Sequence, residues 1–466
     1  MLHPITVIQS MARNLGVAKR DLLVLAPQND PFNSGTRANR VAAEWFARLL
    51  EEHDLPPGKH LRRWHYLLST LDKPVVIPNG EPYENAESCW SYLQKASSHA
   101  RYQGLVDPRQ FADQRNPNAR EYQAVPREEP DPSWATSGDV DWTLPTISVT
   151  YRGRIILPGI YVDGYDYDDG DQPYHLECWI EKSTMDAELA PICDKFGVTL
   201  KKGVGFDSVT SVVKLVERCQ AFIEMDRPIR IFYISDFDPA GFFMPQAIAR
   251  QIQFWLWREG READIRLKPL VLTKAQVEEF KLPRKPIKDE DRRKRNFELR
   301  LGEGHVELDA LAALHPGEFE RIVTEAFADF RDQNLDEELE DAYRDADAEA
   351  EVAWELATEY LRAEAKGLTN RMNEIGDKYI PKINEIREQM DEELAPLRAE
   401  IREFEERAER ELAQAQGFLY VDLPDRPTPK PPAEADSEQW LYDSTRTFCE
   451  QVAHFKNYMK GETDNA

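Results

Sequence analysis

Between residues 176 and 272 short apolar runs and helical patterns trade places. Leu176–Glu181, Val198–Lys201, Ile229–Ile234 and Ile265–Leu272 read as strands, and Thr184–Phe196, Ser208–Glu224 and Ala240–Arg258 as helices. Parallel neighbours need a crossover of a dozen or more residues, so this alternation specifies a mostly parallel sheet with helices on both faces. Such sheets bind ligands beyond the C-terminal ends of their strands. Two of those ends carry acids. Glu181 closes Cys178-Trp-Ile-Glu, and Asp236 and Asp238 follow the strand in Asp-Phe-Asp-Pro-Ala-Gly241. If the two strands are neighbours, three carboxylates converge, and like charges that close require a cation. Hard oxygen donors, few in number and leaving open positions, suit Mg2+ or Mn2+, which bridge to phosphate oxygens. The structural alternative makes Asp236 and Asp238 turn residues before Pro239 and Glu181 a helix cap.

The flanks follow other rules. Apolar spacing predicts helices over Thr36–His53, His60–Leu71 and Asn85–Tyr102, with a short hairpin in the turn-rich stretch Pro74–Pro82. Together they read as a winged-helix-like module within residues 1–125. The stretch Arg109–Trp142 reads as a linker, and residues 126–174 as linker with short strands. Residues 175–330 form the α/β metal-binding domain. Residues 331–416 read as an acidic helical coiled-coil region. Its seam runs Ile383, Ile386, Met390, Leu394, Leu397, Ile401, Phe404, Ala408 and Leu412, with a stutter near Met390–Leu394 and with Pro381 and Pro396 expected to kink or interrupt it. Residues 417–466 begin with a stiff segment carrying five prolines over Pro424–Pro432 and end in a helix over about Ser437–Met459.

Charge is segregated along the chain. The total of 59 Lys and Arg against 85 Asp and Glu, a net of −26, by itself opposes a polyanionic partner. Residues 336–412, however, hold 25 acids and 11 bases, whereas residues 1–66 hold nine bases and six acids. The N-terminal region is therefore compatible with DNA contacts, for which Arg37, Arg40, Arg62 and Arg63 are the candidates. No apolar run approaches membrane-spanning length, and the first residues show no secretion signal, so a cytoplasmic protein is expected. Five scattered cysteines without a Cys-x-x-Cys pair argue against a disulfide framework or structural zinc. The acids Asp163, Asp166, Asp168, Asp169 and Asp171 miss the calcium-loop spacing and read as a solvated turn. The basic cluster Arg284–Arg295, with acids interspersed, reads as a solvated loop or helix start, with a DNA-facing surface as the alternative.

Three elements in order are Ile180-Glu181-Lys182, Gly203-Val-Gly205-Phe206-Asp207 and Asp236-Phe-Asp238-Pro239-Ala-Gly241. This arrangement resembles the Toprim domain of topoisomerases, primases and some nucleases, and within it the topoisomerase VI A subunit and its meiotic double-strand-break relatives. Glu307-Leu-Asp-Ala-Leu311 looks like a further element near the end of that domain. Leu61-Arg62-Arg63-Trp64-His65-Tyr66 fits the frame around that family's nucleophilic tyrosine, with His65 standing where Tyr or Phe is usual. The resemblance implies an α/β Toprim fold, Rossmann-like, with an N-terminal winged-helix-like module and a C-terminal helical coiled-coil extension. It implies that Tyr66 attacks a phosphodiester of double-stranded DNA while Glu181, Asp236 and Asp238 hold Mg2+ at the scissile phosphate. It also implies a homodimer, with tyrosine and metal from opposite subunits. A separate ATPase subunit follows as well, since this chain has no phosphate-binding Gly-x-x-x-x-Gly-Lys-[Ser/Thr] loop. Two other readings stand beside it: a hydrolytic Toprim nuclease of plasmid or phage defence with Tyr66 structural, and a non-catalytic assembly protein built on the acidic coiled coil.

Overall fold

The computed structural model describes residues 4–53, 55, 57–111, 118–122, 126, 128–145, 152–203, 209–379, 387–432 and 440–464. The chain is a mixed α/β protein with a small, largely parallel sheet and long C-terminal helices. It divides into two compact units. The first comprises Met1–Arg127, Asp169–Asp332 and Pro431–Ala466, and the second Glu128–Asp168 and Gln333–Lys430.

The first unit opens with a helix that sequence spacing did not flag, α1 (Pro4–Leu15), which buries Ile5, Ile8 and Ala12 along one face. Then come α2 (Arg37–Glu52), α3 (Leu61–Ser69) and α4 (Glu87–Gln103). Trp45, Phe46, Trp64, Leu68, Trp90 and Leu93 share their core. Between α3 and α4 the chain makes the expected hairpin: Val76 bridges Pro82, and Ile77 N–H donates to Glu81 O at 2.8 Å. Three arginine contacts fix these helices to the α/β body. Arg101 Nη1 donates to Thr210 Oγ1 (3.1 Å) and Arg258 Nη1 to Tyr102 O (2.6 Å), while buried Arg250 pairs with buried Asp30 (3.0 Å).

Strands β1 (Ser133–Ser137), β2 (Asp141–Thr143), β3 (Arg154–Ile156) and β4 (Gly159–Asp163) pair antiparallel, β1 with β4 and β2 with β3. They belong to the second unit, so the stretch to Trp142 is more than the linker its composition suggests. Strands of three to five residues offer too little alternation to read. What orders them is the packing of Trp134, Trp142, Ile155 and Ile160 on apolar clusters shared with the long helices.

The α/β body runs β5 (His175–Ile180), α5 (Asp186–Lys195), β6 (Thr199–Lys202), α6 (Val209–Arg218), α7 (Gln220–Glu224), β7 (Ile229–Ile234), α8 (Pro239–Glu259) and β8 (Ile265–Val271). Four shorter helices follow: α9 (Lys274–Glu279), α10 (Lys294–Leu301), α11 (Leu308–Leu314) and α12 (Glu318–Ala328). Sheet order is β6-β5-β7-β8, all parallel, with a last antiparallel edge strand β9 (Tyr442–Asp443). Successive side chains go to opposite faces. Phe232 and Ile234 enter one core with Cys178 and Ile180, and Ile231 and Tyr233 enter the other with Trp179. Strands buried on both faces must read as continuous apolar runs, which is why this region was legible.

In the second unit α13 (Leu335–Tyr379) and α14 (Arg387–Phe418) form an antiparallel hairpin. Lys378–Glu393 (3.7 Å), Arg371–Glu400 (2.5 Å) and Arg407–Glu364 pair across it, seven residues apart down one helix and up the other. Leu361, Leu368 and Met372 meet Leu394, Leu397, Ile401 and Phe404 in the seam. Pro396 lies inside α14 without ending it. Pro381, Ile383 and Ile386 lie outside the described residues. The final helix, α15 (Phe448–Asp464), starts later than its apolar pattern suggests. Asp443 explains the delay, since its carboxylate accepts from Thr445 N (3.0 Å) and Thr445 Oγ1 (2.6 Å), a turn that competes with helix.

Candidate metal centre

The acids reach one sheet edge because their strands are parallel neighbours in register. Ile180 pairs with Ile234, and Glu181 N–H donates to Ile234 O at 3.1 Å, so Glu181 leaves β5 beside the end of β7. Asp238 caps α8: its Oδ1 accepts from Gly241 N–H at 2.7 Å, with Pro239 at the first helical position. Gly241 has no room for a side chain. A Cβ there would stand 2.2 Å from Asp236 O and 2.6 Å from Ser235 Oγ. A two-way backbone bridge between Phe237 and Val306 (2.9 Å each way) brings residues 306–309 to the same place. Leu308 N–H donates to Asp236 Oδ1 at 2.7 Å. Lys182 Nζ lies 3.1 Å from Asp236, 2.8 Å from Asp309 and 4.0 Å from Glu307.

Electrostatics mark the centre as short of positive charge. Burial first, and then Asp238 and Asp236, push the Glu181 carboxyl up from its ordinary 4.5 to about 7, against the weaker pull of Lys182 and Arg293. Burial also raises Asp238, with Asp236 adding to it and the Gly241 N–H opposing. Burial disfavours charge on Lys182, but the carboxylates of Asp309 and Asp236 outweigh it and raise the ammonium. Glu181 Oε2 is buried without a hydrogen-bond partner. An orphaned carboxylate oxygen beside two further acids is the setting a divalent cation fits, so Glu181, Asp236 and Asp238 suit the Mg2+ or Mn2+ that their chemistry implies.

The three are not drawn tightly together. Among the described residues, the one set with three ligand atoms all within 4.8 Å of one another is His175, Glu177 and Cys219, wholly buried. That set is already committed to protein partners. Glu177 accepts from Arg218 Nε (3.0 Å) and Nη2 (2.8 Å) and from Trp179 Nε1 (2.6 Å), with His175 Nε2 at 3.3 Å. Burial opposes its charge, yet Arg218 and His175 outweigh that and hold the carboxyl at about 2. It is a buried ion pair under the sheet, with its oxygens spent.

A small cavity is lined by two of the three acids and shares residues with a larger one. The smaller, about 40 Å3, is lined by Asp236, Asp238, Gly241 and Gln246. The larger, about 1360 Å3, shares Gln246 and includes Arg293.

The N-terminal candidates lie elsewhere in the unit. Tyr66 is half-exposed on α3, its ring 5.4 Å from that of His65. His65 is buried and bonded to Tyr83 Oη (2.7 Å) and Asn85 Oδ1 (3.0 Å). The Arg62 guanidinium lies over the Trp90 ring at 5.3 Å. Arg63, Arg37 and Arg40 are exposed. Of the glycine-rich element, Gly203 donates its N–H to Ile180 O (2.9 Å), and residues 204–207 lie outside the described residues. Sequence reasoning passed over three charged neighbours of the centre: Lys182, Asp309 and Arg293. The first two sat inside motifs already singled out, and Arg293 in the basic cluster set aside as a solvated loop.

No protein-family model matches the chain, and no curated protein matches it. Among the described residues no helix is long and apolar enough to cross a membrane.

Proposed function

We propose that the first unit cleaves nucleic-acid phosphodiester bonds at a Toprim-like divalent-metal centre held by Glu181, Asp236 and Asp238. One observation carries the reading: three acids from adjacent parallel strand ends share an edge, one of them with a buried, unpartnered oxygen. A bound Mg2+ or Mn2+ would neutralise charge on the phosphate and lower the pKa of a coordinated water. The chain's own residues do the rest. Lys182 orients Asp236, the α8 cap fixes Asp238, and Arg293 supplies positive charge felt by both Glu181 and Asp238. The three-helix arrangement with its hairpin supports a winged-helix-like description of the N-terminal part.

The nucleophile divides the reading in two. In the first, Tyr66 of one subunit of a homodimer attacks duplex DNA beside the metal of the other, with a separate ATPase driving the cycle. In the second, water attacks and Tyr66 is structural. The second is favoured by the engagement of its helix neighbours, since Arg62 is stacked on Trp90 and His65 is sequestered by Tyr83 and Asn85. A phenol needs such neighbours to become nucleophilic. Plasmid nicking in Mg2+ should vanish with Glu181→Gln or Asp236→Asn, and nicking that survives both excludes the centre. Tyr66→Phe separates the nucleophiles: retained cleavage without a denaturant-trapped protein–DNA adduct selects water.

A further inference from the structure

The large cavity opens among α4, α8, α10 and α15 within the first unit. Its charged lining is Lys95, Arg101, Arg293, Arg300, Lys456 and Lys460, with no Asp or Glu among the described lining residues, Arg293 being paired with Asp291 (3.0 Å). Acids and bases are nearly balanced in the first unit, 50 against 44, so six bases and no acid in one lining is a property of the cavity. Two lining side chains are more than nine-tenths buried and leave a polar atom without a partner: His99 Nδ1 (9% exposed) and Gln251 Oε1 (8% exposed). Burial, reinforced by Lys95, lowers His99 to about 4, so this ring offers a hydrogen bond and no charge. Cations in the lining together with neutral, unsatisfied hydrogen-bonding groups on its wall match a ligand with both phosphates and base edges.

The cavity also shares two wall residues, Gln246 and Met459, with the small void lined by Asp236 and Asp238. Phe243, a partly exposed lining ring, is five residues beyond Asp238 on α8, about 7.5 Å along the helix axis. A base stacked there leaves its backbone close to the metal-binding carboxylates. Size then chooses between forms of nucleic acid. At about 1360 Å3 the cavity has room for a few nucleotides and not for the body of a double helix, whose major groove alone is roughly 12 Å wide.

From this geometry we propose that the cavity receives an unpaired nucleic-acid strand, stacking a base on Phe243, bonding base edges to His99 and Gln251, and seating phosphates on Arg300, Lys456 and Lys460. The proposal rests on the metal-centre reading, since it supplies the substrate form that reaches Glu181, Asp236 and Asp238. It departs from the duplex that the family resemblance implies.

The test is equilibrium binding to the full chain in EDTA, with three probes: a fluorescein-labelled ten-nucleotide single strand, the same sequence as a blunt duplex, and dAMP. The strand should bind at least tenfold more tightly than either of the others. Phe243→Ala should weaken it about tenfold. Arg300→Glu and Lys460→Glu, both at exposed positions where folding is undisturbed, should each weaken it and flatten the log–log salt dependence by about 0.7 for every phosphate left without its cation. Duplex bound as tightly as the strand, dAMP bound as tightly as the strand, or charge reversals without effect would each overturn the proposal. Strand binding lost while Glu181-dependent nicking persists removes this inference alone. Strand binding retained without Mg2+-dependent cleavage of that same single strand removes the metal centre alone.

Discussion

Replacing Glu181 by Gln should stabilise the metal-free protein, and do so only at neutral and alkaline pH. The folded state holds this carboxyl at about 7 against an ordinary 4.5. Between those values the folded protein keeps a proton that the unfolded chain has lost, so stability falls as pH rises through the window and levels off above it. At about 1.4 kcal/mol per pH unit the upper bound is about 3.4 kcal/mol, and solvent screening at a half-buried side chain brings it to about 1–2 kcal/mol. Urea denaturation in EDTA should therefore show Glu181→Gln more stable than wild type by that amount at pH 8 and nearly equal to it at pH 5. Adding Mg2+ at pH 8 should reverse the order, since only the wild type gains binding energy linked to folding. A variant destabilised at pH 8 in EDTA would refute the reasoning, because it would mean that the carboxylate is already compensated by protein groups.

Asp238 has separable duties: Asp238→Asn keeps a capping oxygen for Gly241 and should cost little stability while removing metal affinity, whereas Asp238→Ala should cost about 1 kcal/mol in addition. Thermal melts alongside metal titration distinguish them. Asp30→Ala strands the buried Arg250 guanidinium and should cost about 3–5 kcal/mol, read by chemical denaturation; a loss under about 1 kcal/mol would mean that water reaches the pair. Trp354→Ala in the seam of the second unit should cost about 3–5 kcal/mol and expose α13 to limited proteolysis, with no new cleavage inside the three chain segments of the first unit.

The sheet was legible because burial on both faces forces unbroken apolar strands, and Ile229–Ile234 reads the same in sequence and structure. The adjacency of Glu181 and Asp236 followed from parallel topology and needed only the register of β5 on β7. Less accessible was anything set by distant partners. Strands β1–β4 are too short to carry a pattern, and their order depends on α13, some two hundred residues away. Helix α1 has a clear apolar face in Ile5, Ile8 and Ala12, but the cue spans barely three turns. Arg293 was visible as part of a basic cluster, yet its role depends on α10 folding back toward α8, which no local spacing encodes. His65 illustrates the same limit from the other side, since its burial against Tyr83 and Asn85 is set by residues 18 and 20 positions away and not by the spacing of its own helix.

Metal occupancy at the sheet edge is the central claim. Mn2+ titration of the full chain followed by electron paramagnetic resonance should count one tight ion in the wild type and none in a Glu181→Gln, Asp236→Asn double variant that melts as a folded protein. Equal Mn2+ binding by both proteins would contradict it and return the three acids to the service of turns and caps.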